Sequence, residues 1–123
     1  MQLEPAAKLQ EFMETHSNES VEYLFAQSND FYHMRSYDEM DEAQDTYFQV
    51  YERLVKHLSA SFGKPEFVDG MGNSKFPNWY EAMFLSYWKL GNNFVYAALR
   101  HEDKELPFLV VYGIHAQTEK IAT

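Results

Sequence analysis

Residues 83–115, MFLSYWKLGNNFVYAALRHEDKELPFLVVYGIH, constrain the fold more than any other stretch: they read as three β-strands joined by two turns. Leu90-Gly91-Asn92-Asn93 supplies the first turn, because Gly and Asn tolerate the positive φ angles of short hairpin loops. Glu102-Asp103-Lys104-Glu105 supplies the second, and Pro107 sets the start of the last strand. The three runs are rich in Val, Phe, Tyr and Trp, which suit a pleated, half-buried surface. The expectation is a continuous antiparallel meander.

With two residues in the first loop and two or four in the second, side-chain alternation assigns the two faces. One face collects Phe84, Trp88, Leu90, Val95, Ala97, Leu99, Phe108, Val110, Tyr112 and Ile114, with Ser86 and His101 as its only polar members. That is a core face. The other carries Tyr87, Lys89, Phe94, Tyr96 and Arg100 among its residues, a mixture of aromatic rings and positive charge. A three-residue first loop would scramble the assignment.

The first half of the chain reads as helical. Residues 3–15 suit a short helix with Pro5 in its first turn and Leu9, Phe12 and Met13 on one side. Asn18 or Ser17 then caps a second helix running to about Tyr32, with Val21, Leu24, Phe25, Ser28, Phe31 and Tyr32 inward. A third helix opens on Ser36-Tyr37-Asp38-Glu39, a capping-box pattern. Apolar residues recur at three- and four-residue steps from Met40 to Phe62, where Gly63 and Pro65 stop it. Acids crowd its start, while Arg53, Lys56 and His57 sit toward its end, complementing the helix dipole. Residues 66–69 form a possible short strand, and the tail AQTEKIAT after His115 has no partner in view. The fold class expected is therefore α+β in a single domain, 1–123. Three helices (1–62) pack on an antiparallel meander of three or four strands (63–123).

Composition narrows the function classes. At 123 residues with 21 aromatic side chains the chain can build an ordinary core without disulfide or metal staples. Cysteine is absent, which removes thiolate catalysis and cysteine-based zinc sites. The N-terminus has no basic region followed by an apolar core, and no apolar run reaches the roughly 20 residues of a membrane span. A cytoplasmic domain that touches no membrane is expected. The net charge of −9 is uneven: residues 1–62 hold 12 acids against 4 bases, residues 63–123 hold 7 against 6. Phosphate neutralisation needs the opposite sign, so nucleic acid is not an expected partner.

No residue constellation specifies a reaction. The five histidines (His16, His33, His57, His101, His115) lack zinc-motif spacing, and Gly70-Met71-Gly72 lacks the third glycine of a dinucleotide fingerprint. His33 or His101 as a general base would have no nucleophile to serve. No metal and no cofactor is expected, and the chain is not read as an enzyme.

Two surfaces compete as the binding site. The first is the start of the third helix: Tyr37, Asp38, Glu39, Asp41, Glu42 and Asp45, with Asp30 and Tyr32 nearby in sequence. Dipole and solubility alone would also place acids there. Interleaved with tyrosine, however, they suit an arginine- and lysine-rich partner. The second is the sheet face of Tyr87, Lys89, Phe94, Tyr96 and Arg100, which, if not covered by helices, would take a small anionic ligand or a second copy of the chain. Monomer and homodimer both stay open.

A small, acidic, cysteine-free α+β domain with the 38–45 acidic cluster resembles the bacterial immunity proteins of polymorphic toxin systems. The resemblance implies tight binding of one cognate toxin domain, many of which are basic nucleases, by blocking its active site or an exosite. Three classes are thus set against one another. An inhibitor predicts an exposed acidic-aromatic patch, a ligand-binding domain an aromatic cavity behind the meander, and a small enzyme a cleft with convergent polar groups.

Overall fold

The structure, a computed structural model, describes residues 4–16, 18–33, 36–70, 72 and 74–116. Its elements are α1 (Pro5–Thr15), β1 (Val21–Gln27), α2 (Tyr37–Phe62), β2 (Phe67–Gly70), β3 (Phe84–Leu90), β4 (Asn93–Arg100) and β5 (Leu109–Ala116). The strands form one antiparallel sheet in the order β1-β5-β4-β3-β2.

This overturns the expectation of three helices on three or four strands. Among the described residues there are two helices and five strands, and the segment expected to be the second helix contains the edge strand β1. Its spacing misleads for a physical reason. Val21, Leu24, Phe25 and Ser28 fall at helical intervals, but β1 carries a bulge: Leu24 pairs with Val111 and Ala26 with Val110, leaving Phe25 as the extra residue. The bulge flips side-chain parity midway, so Val21, Tyr23 and Ala26 face inward while Leu24 and Phe25 are exposed. Asn18, expected as a helix cap, instead takes a left-handed conformation (φ 65°) in the turn from α1 to β1.

The face assignment argued from the loops holds, but the second loop is longer than expected: Arg100 pairs with Leu109, so residues 101–108 join β4 to β5 where two or four residues were expected, and their even number keeps the parity. Gly91-Asn92 is a two-residue connection, with Gly91 at φ 62°. Trp88 pairs with Val95 and Val95 with Ile114; Ser86 pairs with Ala97 and Ala97 with Tyr112. Both helices pack on the resulting apolar face, where Leu9, Leu54, Leu58, Trp88, Val95, Leu99, Phe108 and Ile114 are fully buried. The indole Nε1 of Trp88 donates to the carbonyl of Gly63 at 2.7 Å, tying the sheet to the C-terminus of α2.

Two details of α2 differ from expectation. Ser36 occupies the N-cap position, but its side chain makes no capping hydrogen bond, so the first turn is held by the packing of Met40 and Ala43 against the core. The last turn also has no basic side chain. His57 faces α1, and its Nε2 accepts a hydrogen bond from the Ala6 amide at 3.2 Å.

The opposite sheet face is covered too, by the connection 76–82 rather than by helices. Phe76, Trp79, Tyr80 and Ala82 pack over Leu85, Tyr96, Ala98 and Val111. The molecule is therefore three layers: helices, sheet and strap. Ala116 ends β5, its amide donating to Ser20 Oγ at 3.0 Å, and the remainder of the tail lies outside the described residues.

Candidate functional site

The start of α2 packs on the core through Met40 and Ala43 and turns its acids outward. Asp38, Asp41, Glu42 and Asp45 fall at i, i+3, i+4 and i+7, one stripe of the helix, and all are exposed. None of the four has an ion-pair partner among the described residues. Four carboxylates on one stripe repel one another, and a cationic partner would relieve that repulsion. Tyr37, next to Asp38 in the chain, and Tyr32 are the two most exposed aromatic side chains described, 65 % and 59 % accessible.

Glu39 belongs to a different side of the helix. With Ala43 and Tyr47, at successive four-residue steps, it lines a cleft of about 360 Å³ whose far wall is Ser28, Asn29, Asp30 and Phe31, with His33 beside them. The far wall is firmly held. Ser28 N donates to Phe108 O (3.0 Å), Ser28 Oγ accepts from Phe108 N (2.9 Å), and Phe31 N donates to Glu105 O (2.9 Å). Tyr47 Oη donates across to Gln27 O at 3.1 Å, bracing the helix against the end of β1. The cleft carries two carboxylates, Asp30 and Glu39, above an apolar floor of Phe31 and Ala43. A long cationic side chain has that mixture of stem and head. Sequence reasoning found the acids and the tyrosines; it missed the cleft, because β1 had been read as a helix.

The rival surface is not open. Trp79 lies flat against His115 (ring centroids 4.6 Å, 8° between planes) and against Phe94 (5.2 Å, 8°), and meets Tyr87 and Tyr96 edge-on. Lys89 is exposed, while the Tyr87, Phe94 and Tyr96 rings meet Trp79 and Arg100 lies over the Tyr80 ring. The face expected as an alternative ligand floor is thus the seat of residues 76–82.

A polar cluster that the sequence did not suggest fastens this strap. Glu22 Oε1 accepts from Tyr80 Oη (2.5 Å) and Tyr96 Oη (2.7 Å), and Glu22 Oε2 pairs with Arg100 at 3.0 Å. Arg100 also pairs with Glu102. Burial and the hydrogen bond to Glu22 push both phenols above their ordinary 10.0, so they serve as donors and not as bases. Glu22 is opposite Gly113, and Gly113 is opposite Tyr96. Only glycine at the middle strand leaves space for the Tyr96 ring to reach Glu22: a Cβ there would sit 2.8 Å from Tyr96 Oη and 2.2 Å from the Val21 carbonyl. The legible signal was one glycine in an otherwise bulky strand.

The histidines have structural roles. His101 bonds through Nε2 to Leu106 O (3.0 Å) and stacks on Phe108, His16 stacks on Phe12, and His115 lies under Trp79. Among the described residues no three His, Asp or Glu side chains converge as metal ligands, and no helix is long and apolar enough to cross a membrane. Comparison with family models, curated proteins and solved structures returns no match to this chain.

Proposed function

We propose that the chain is a protein-binding inhibitor, of the immunity type, that works in the cytoplasm and engages a basic toxin domain through the start of α2. The observation that carries this reading is the exposed stripe Asp38, Asp41, Glu42 and Asp45, without ion-pair partners among the described residues, together with exposed Tyr37 and Tyr32. Carboxylates of this kind steer a cationic partner, and tyrosines anchor it with little loss of side-chain entropy. The cleft beside Glu39 adds a seat for one arginine or lysine side chain of the partner. The test is co-purification with the product of the immediately upstream gene, followed by binding at two salt concentrations. Retention at low salt that weakens steeply as salt rises supports the proposal; no retention, or salt-independent binding, ends it.

A further inference from the structure

Ser86 and His101 are the two polar residues on the core face of the meander, and they differ in one respect. His101 is satisfied by the Leu106 carbonyl. Ser86, with no exposure at all, has one partner, the Tyr51 hydroxyl at 2.7 Å, and Tyr51 is itself only 3 % accessible. Two hydroxyls that share one hydrogen bond leave one hydroxyl hydrogen without an acceptor. Neither hydroxyl makes a second hydrogen bond among the described residues. Leaving such a donor buried is unfavourable, so its surroundings indicate what should satisfy it.

Those surroundings are a groove of about 360 Å³ between α2 and the β2–β3 edge, with the hydroxyl pair in its lining. Its walls are Phe48 and Val55 from α2 and Phe84 and Val68 from the sheet. Val68 is 55 % accessible, an apolar side chain at an open end. Glu52, Lys56 and Asp69 are the charged residues of the lining, two acids and one base, a balance that disfavours an anionic occupant. Burial pushes the Tyr51 phenol up to about 12, so the pair stays neutral; Ser86 has no accessible surface, so the hydrogen left for an occupant is that of Tyr51, which keeps 3 %.

The geometry points to a small-molecule site in this groove: it takes a neutral, mainly apolar molecule carrying one carbonyl-type acceptor, which receives the spare hydrogen of the Tyr51–Ser86 pair. The volume lies within the ordinary range of ligand pockets, and an apolar enclosure with one oriented polar group is their usual construction. The site lies on a different part of α2 from the acidic stripe and does not depend on the protein-binding reading.

The test uses three probes of one shape: 2-acetylnaphthalene, 2-ethylnaphthalene and 2-naphthoate, each titrated into the whole protein and followed through backbone amide shifts. The ketone should bind saturably, shift the amides around Tyr51 and Ser86, and bind about 2–10-fold more tightly than the hydrocarbon, as one net hydrogen bond implies. The naphthoate should bind more weakly than the ketone. In a Tyr51→Phe/Ser86→Ala double variant the ketone should lose its advantage while the hydrocarbon still binds. Removing both hydroxyls together leaves no orphan and should be nearly neutral for folding. Should the variant nevertheless fail to fold, the three-probe comparison on the natural chain still decides. Equal binding of ketone and hydrocarbon, preference for the naphthoate, shifts confined to another surface, or no saturable binding would each overturn the inference.

Discussion

At the scale of single residues, volume and proton inventory decide the outcome. Trp88 fills the centre of the helix-facing core at 1 % accessibility and supplies the acceptor at Gly63 with its donor. Trp88→Ala should cost about 3–5 kcal/mol in urea melts, as for other large buried aromatics. Gly113→Ala works by the opposite route, overfilling: its Cβ would meet the Val21 carbonyl at 2.2 Å, so β1 must shift and the melt should fall to lower denaturant. The tyrosines give a pH signature. Tyr51, Tyr80 and Tyr96 have phenols raised above 10.0, each chiefly by burial. A phenol whose folded value lies above its unfolded one favours the fold fully below pH 10 and withdraws that support as pH climbs toward the folded value. Stability should therefore be flat through neutrality and decline in strong alkali. A phenolate absorbance titration run beside circular dichroism would check this: these three should ionise only as the fold is lost, and ionisation of all nine near pH 10 with intact structure would contradict it.

At the scale of elements, the strap 76–82 is held by ring packing and by a polar fastening to Glu22. Glu22 reaches it from the edge strand on the far side of the sheet, and Trp79 reaches it by stacking. Glu22→Ala would leave the Tyr80 and Tyr96 hydroxyls without their acceptor. The expected loss is about 1–3 kcal/mol, with faster amide exchange in the strap than in β4. Unchanged exchange there would mean that aromatic stacking alone holds the strap down. Element α2 divides its duties by angle: one stripe packs into the core, one lines the cleft with Glu39 and Tyr47, and one carries the four exposed acids.

At the scale of the whole molecule, charge is concentrated where structure needs it least. Six of the 12 acids in residues 1–62 lie on α2, all at exposed positions and away from hydrogen-bonded Glu22. Under the proposed function, an Asp41→Lys/Asp45→Lys double variant should slow association with the basic partner from about 10⁸ M⁻¹s⁻¹ at low salt and flatten its salt dependence. Both positions are exposed, so the melting curve should barely move. Rates and a salt slope equal to those of the natural chain would return the stripe to a solubilising role.

What the sequence determined by itself was local: the two-residue Gly91-Asn92 turn, the face on which Trp88, Val95 and Ile114 meet, and a long helix ending at Gly63 with acids exposed at its start. Each follows from a period of two or 3.6 residues read over a short window. What only the tertiary structure decided involves partners far apart in the chain. Segment 21–27 becomes a strand because β5 offers a free edge about a hundred residues on, and a bulge hides its alternation from a local reading. The cleft beside Glu39 exists because that strand delivers Ser28 to Phe31 next to α2. The strap takes the sheet face that charge and aromatics made look like a ligand floor, and Glu22, unremarked among 19 acids, becomes its fastening. Long-range pairing leaves little periodic trace in either partner, which is why these features waited for the fold.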